Sequence, residues 1–155
     1  MISDLDVELS RPPWLKQFQH VQTVHISKAS AAFEKKDLET AKKEYAHALK
    51  EYKGAEKLLP AEEPTDDVER YWLTLGTYNY ACVLAFWAKD ATENREELID
   101  AAFRWLSLAC RLGYRNWQDG ARCHASGADH MRADTDLEAL WTDPRFQKLL
   151  GYSEE

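Results

Sequence analysis

Between Leu38 and Leu59 the apolar residues Leu38, Ala41, Tyr45, Ala48, Leu49, Tyr52, Ala55, Leu58 and Leu59 recur mostly at steps of three or four, with Lys and Glu on the opposite face. A period near 3.6 gathers such residues on one side of an α-helix, whereas a half-buried strand needs apolar residues at every second position. No stretch of the chain alternates in that way. The expected fold class is therefore all-α, built of consecutive antiparallel helical hairpins joined by short links.

The remaining segments extend this pattern. From Trp14 to Lys36 no Gly or Pro intervenes, and Phe18, Val21, Ile26, Ala29, Ala32 and Phe33 suit one face of a first helix, closed by a tight turn at Lys36-Asp37. Pro60 and Pro64 bracket an acidic loop, and Asp66 with Glu69 forms a cap for a third helix over 68–89. That helix is apolar almost all round (Tyr71, Trp72, Leu75, Tyr78, Tyr80, Cys82, Val83, Leu84, Phe86, Trp87), which predicts packing on several sides. Asn94 with Glu97 is expected to cap a fourth helix carrying Leu98 to Leu112, and Gly113 to end it. Beyond lie a shorter element over 116–125, a capping box at Thr135 and Glu138, and a last helix opened by Asp143-Pro144. Residues 1–13, with Pro12-Pro13, read as an extended arm ahead of a single helical domain over 14–155.

Composition narrows the function. A formal charge of −7 disfavours nucleic acid and anionic membrane, since neutralising phosphate takes clustered Lys and Arg. No run approaches the roughly 18 apolar residues of a spanning helix, and the start, Met1-Ile2-Ser3-Asp4-Leu5-Asp6, is acidic where a signal peptide is basic. The 3 cysteines, Cys82, Cys110 and Cys123, read as core residues of a reducing compartment. A cytoplasmic protein is expected.

Ala29 to Ala48 resembles a tetratricopeptide repeat: Ala29 stands at the small position of the first helix, Lys36-Asp37-Leu38 is similar to the usual Gly-Asp-Tyr turn, and Ala41, Tyr45 and Ala48 match the second helix. A second copy resembles Tyr78 to Ala85, with Cys82 at the small position, paired with Ala102, Leu106 and Ala109. Gly113-Tyr114, then Asp134 to Leu140 and Asp143-Pro144-Arg145-Phe146, are similar to the closing segment of bacterial tetratricopeptide proteins. The resemblance implies a short solenoid with repeats over about 19–53 and 71–112 and a cap over 114–151. Small residues let helix backbones approach while the aromatic fills the angle between them. Since about three repeats are usual, flanking helices or a second chain must close the ends.

The resemblance further implies a protein or peptide partner on the concave face, which by register presents Ile26, Ser30, Phe33 and Glu34 from the first repeat and Asn79, Val83, Phe86 and Trp87 from the second. Taken singly, Phe33, Val83 and Phe86 each suit a core better than a binding face. Ile26 and Ser30 replace residues of the variant that clamps C-terminal carboxylates, so that specificity is not expected. The 6 Trp and 7 Tyr suggest an interface, with Trp14, Trp117, Trp141 and Tyr152 as docking candidates and self-association into a homodimer as an alternative. A regulatory subunit of an enzyme is a further alternative.

No catalytic motif is present, and no cofactor is implied. Glu62-Glu63 and Asp66-Asp67 read as solvated charge. Cys110, Cys123, His124 and His130 lack the Cys-x2-Cys or His-x3-His spacing of zinc sites, and His20, His25 and His47 read as surface or half-buried imidazoles, so no metal site is expected.

Overall fold

The computed structural model describes residues 11–116 and 127–151 and is all-helical, with no strand among the described residues. The chain divides into two compact units, Met1–Leu73 and Thr74–Glu155.

In the first unit, α1 (Pro13–His20) begins with proline at its first position, runs through a π-helical turn (Val21–Ile26) and continues as α2 (Ser27–Glu34). The uninterrupted α-helix expected here is thus broken by a wider turn. At its end the Ser27 N–H reaches back to the Gln22 carbonyl. The Ser27 hydroxyl donates to that same oxygen at 2.9 Å, and the Thr23 hydroxyl donates to the Gln19 carbonyl at 2.9 Å. Hydroxyls that bond carbonyls of the preceding turn and a run of β-branched residues (Val21, Thr23, Val24, Ile26) both loosen regular α geometry.

Helix α2 ends in a Schellman motif: Asp37 N–H donates to the Ala32 carbonyl at 2.8 Å and Lys36 N–H to the Phe33 carbonyl at 3.0 Å, with Lys36 left-handed at φ 61°. Glycine fits that conformation without Cβ strain. Lys36→Gly is expected to stabilise the protein by about 0.5–1 kcal/mol, read as a higher urea midpoint at unchanged slope; an unmoved or lower midpoint would contradict the strain. Asp37 then caps α3 (Leu38–Glu56), accepting from Thr40 N–H at 3.2 Å and from the Thr40 hydroxyl at 2.6 Å.

Ala41, Tyr45, Ala48, Tyr52 and Ala55 form the buried seam of α3, which packs on α1, the π turn and α2. Steps of four and three between small and aromatic residues interleave as in a helical hairpin. Phe18 meets Tyr52 edge-on at 5.5 Å, and Phe33 meets Tyr45 at 5.7 Å. The Gln17 amide donates to the Glu51 carbonyl at 2.9 Å, tying α1 to α3. Leu38 and Leu58, expected on the buried stripe, are 57% and 47% exposed at or just beyond the ends of α3. Trp14, a docking candidate, is buried edge-on to Phe18 instead. The Asp66 carboxylate accepts from Glu69 N–H at 3.0 Å, as the capping pattern predicts, and opens α4 (Asp67–Asp90).

In the second unit α4 is buried on several sides: Tyr78, Tyr80, Ala81, Cys82, Val83, Leu84, Ala85 and Ala88 all avoid solvent. Helix α5 (Arg95–Arg111) buries Ile99, Ala102, Phe103, Trp105, Leu106, Ala109 and Cys110, with Trp105 stacked on Tyr80 at 4.9 Å. Asn94 precedes α5 but is left-handed (φ 49°) and makes no side-chain cap bond, contrary to expectation. Gly113, at φ 112°, ends α5 as predicted. A 3-10 turn (Tyr114–Asn116), α6 (Gly127–Ala133), a second 3-10 segment (Thr135–Leu140) and α7 (Pro144–Leu149) complete the unit. The cap of the second 3-10 segment is Asp134 and not Thr135, because the Asp134 carboxylate accepts from Asp136 N–H at 3.0 Å. Asp143 caps α7 through Arg145 N–H as expected. Most of the element expected over 116–125, together with Trp117, Cys123, His124 and Tyr152, lies outside the described residues.

Ala29, Ala41 and Ala48 in the first unit and Ala102 and Ala109 in the second are 0% exposed, and Cys82 is 5% exposed. These six small side chains are therefore interior. No helix among the described residues is long and apolar enough to cross a membrane.

Candidate functional site

The residues expected to meet a partner fall in both units. Of the first set, Ser30 and Glu34 are exposed, while Ile26 and Phe33 are half-buried. Of the second, Asn79, Phe86 and Trp87 are half-buried, and Phe86 and Trp87 lie edge-on at 5.4 Å. Val83 is 1% exposed and belongs to the core. Spacings of seven and eight residues from Asn79 to Phe86 and Trp87 place these side chains along one face of α4. Just beyond, an open notch of about 320 Å³ is lined by Lys89, Arg95, Glu138, Ala139 and Thr142. Lys89 Nζ lies 3.6 Å from Glu138 Oε2, and the Arg95 guanidinium donates to the Ala88 carbonyl, so the notch is polar.

Deeper in the second unit, Asp134 collects a polar network. Its Oδ2 accepts from the Tyr78 hydroxyl at 2.6 Å and lies 3.4 Å from His130 Nε2 and 3.6 Å from Cys82 Sγ. Tyr78 stacks on Tyr114 at 4.0 Å. Burial alone would raise the Asp134 carboxyl, yet hydrogen bonding from His130, Tyr78 and Asp136 N–H holds it below the usual carboxylate range. Burial, and next the Asp134 charge, push the Cys82 thiol well up, and burial pushes the Cys110 thiol up to about 11. Neither cysteine is a thiolate at neutral pH. Tyr78 is raised too, first by burial, and its proton is committed to Asp134. The network ties α4 to the C-terminal segment.

A second polar group, which the sequence pattern did not single out, lies in the first unit where the π turn crosses α3. His25 Nδ1 is 2.8 Å from Glu44 Oε2, and His25 Nε2 is 3.5 Å from Glu51 Oε1. His20 Nε2 is 3.6 Å from the same Glu51 oxygen, and His47 stacks on His25 at 5.3 Å. Hydrogen bonding to His25 lowers the Glu44 carboxyl, against a smaller upward push from burial. Five residues of α-helix turn through about 500°, which would leave His20 and His25 some 140° apart. The wider π turn between them closes that angle. Glu44, His47 and Glu51, at steps of three and four along α3, supply the opposing face. The only usable signal in the sequence was this acidic and imidazole stripe, and nothing local showed what it would face. Comparison with family models, with curated proteins and with solved structures returns no match to this chain.

Proposed function

We propose that the chain is a cytoplasmic protein-interaction module of tetratricopeptide type, which holds a peptide or protein partner against the Asn79, Phe86 and Trp87 face of α4. The observation that carries this reading is the half-burial of those three side chains in a stretch of α4, residues 73–88, that is otherwise buried. Aromatic side chains on a rigid helix provide contact area at little conformational expense, and an amide beside them can pair with a partner's backbone. The buried small residues support the hairpin part of the reading, since only small side chains let two helix backbones approach so closely.

A pull-down from native extract with the wild type and with Asn79→Ala and Trp87→Ala tests it. Both variants are expected to lose the same bound protein, by about tenfold or more if the face is a hot spot, while keeping the far-ultraviolet circular dichroism of the parent. Retention of every bound protein by both variants would refute the assignment. Self-association is the second reading, favoured by the exposure of Leu58, Val68 and Tyr71. Light scattering across a dilution series separates the two, because a monomer at all concentrations removes the oligomer.

A further inference from the structure

We propose that His20, His25 and Glu51 form a binding site for a divalent transition-metal ion of the zinc class, with Glu44 orienting His25. One ligand atom from each of the three residues lies within 4.8 Å of the others. Two ligands of a tetrahedral zinc ion, each at 2.0–2.1 Å from the metal, are about 3.4 Å apart. The 3.5 Å and 3.6 Å separations of the imidazole nitrogens from Glu51 Oε1 match that spacing. Both are too long to be good hydrogen bonds. The other carboxylate oxygen, Glu51 Oε2, is buried with no hydrogen-bond partner. A carboxylate so poorly satisfied by protein donors, and flanked by two imidazoles, is what a cation at their centre would complete.

The surroundings supply the orientation that such a site needs. Ionised Glu44 only accepts, so its contact with His25 places a proton on Nδ1 and, in the neutral ring, leaves the lone pair on Nε2, the atom facing Glu51. His25 and Glu44 side chains are only 12% and 14% exposed, whereas His20 is 53% exposed and can swing onto an arriving ion. Two imidazoles with one carboxylate select zinc and its neighbours over magnesium and calcium, which demand oxygen shells. Three protein ligands leave a position open for water. The inference is independent of the protein-binding reading, because every residue in it belongs to the first unit.

Titration calorimetry of Zn²⁺ into the full-length protein after chelator treatment, with Mg²⁺ as a second probe, tests the site. The expected result is one equivalent of zinc bound at low micromolar affinity or tighter, no Mg²⁺ competition, and a higher thermal midpoint with zinc. His20→Ala, His25→Ala and Glu51→Gln are each expected to weaken binding at least tenfold, and Glu44→Gln by about 10- to 100-fold. The pair Cys123→Ser and His124→Ala, which removes other zinc-competent donors, is expected to leave binding unchanged. Should His25→Ala fail to fold, His20→Ala and Glu51→Gln carry the test, since the first lies at an exposed residue and the second is isosteric. No zinc uptake by the wild type, uptake that survives His20→Ala with Glu51→Gln, or uptake lost only with Cys123 and His124, would each overturn the proposal.

Discussion

Replacing Asp134 by alanine is expected to destabilise the protein at neutral pH by about 3–4 kcal/mol. The carboxylate accepts from the Tyr78 hydroxyl at 2.6 Å and from Asp136 N–H at 3.0 Å, and its Oδ2 faces His130 and Cys82. A hydrogen bond to a charged group contributes about 1.5–3 kcal/mol, and leaving a buried hydroxyl unsatisfied costs about 1–3 kcal/mol more. Asp134→Asn, which keeps an acceptor but loses the charge, should fall near half that loss. The pH dependence has a definite sign. The folded-state carboxyl is held below its unfolded value, so the native state binds the proton less readily. The stabilisation is complete above about pH 3.9, the unfolded value. It disappears as pH falls through the lower folded value. Urea midpoints of wild type and Asp134→Ala should therefore differ most between neutrality and mild acid and converge in strong acid. A gap under 1 kcal/mol at neutral pH, or one that persists undiminished in strong acid, would show the network to be incidental.

Ala48→Leu is expected to cost about 2–3 kcal/mol, while Ala46→Leu on the same helix should change stability by less than about 0.5 kcal/mol. The two residues lie two positions apart on α3, Ala48 at 0% exposure in the seam facing α1 and α2 and Ala46 on the solvent side. Alanine and leucine are close in helix propensity, so the difference isolates packing. Three extra carbons have no room where helix backbones approach over small residues, and the seam must open or the side chain must leave its rotamer. Equal losses at both sites would show that the hairpin is not closely nested at Ala48, and with it would go the strongest physical support for the repeat-like reading.

Much of the helical layout was legible because it depends on local chemistry. The step of three and four through Ala41, Tyr45, Ala48 and Tyr52 predicts α3 and its buried side. Asp66, Gly113 and Asp143-Pro144 mark helix ends by groups that act within a few residues. Where two neighbours could perform the same task, local reasoning chose the wrong one: Thr135 fits a capping box, but Asp134 wins because its carboxylate also answers Tyr78, 56 residues away in sequence. Asn94 likewise takes a left-handed backbone that carries its side chain away from the capping position.

The candidate sites divide along the same line. Helical period alone aligns Asn79, Val83, Phe86 and Trp87, but which of them remains partly open is settled by neighbouring helices, and Val83 is enclosed. His20 and His25, five apart, belong to opposite sides of any α-helix, and they converge only because the π turn intervenes. Their approach to Glu44 and Glu51 depends in addition on the register of α1 against α3, which is set by Phe18 on Tyr52 and Gln17 on the Glu51 carbonyl. Sequence by itself thus determined the all-helical class, most helix boundaries and the small-residue seams, since these follow from backbone preference and one-helix periodicity. Tertiary structure alone decided which polar groups meet across helices, because packing register joins residues that share no local period.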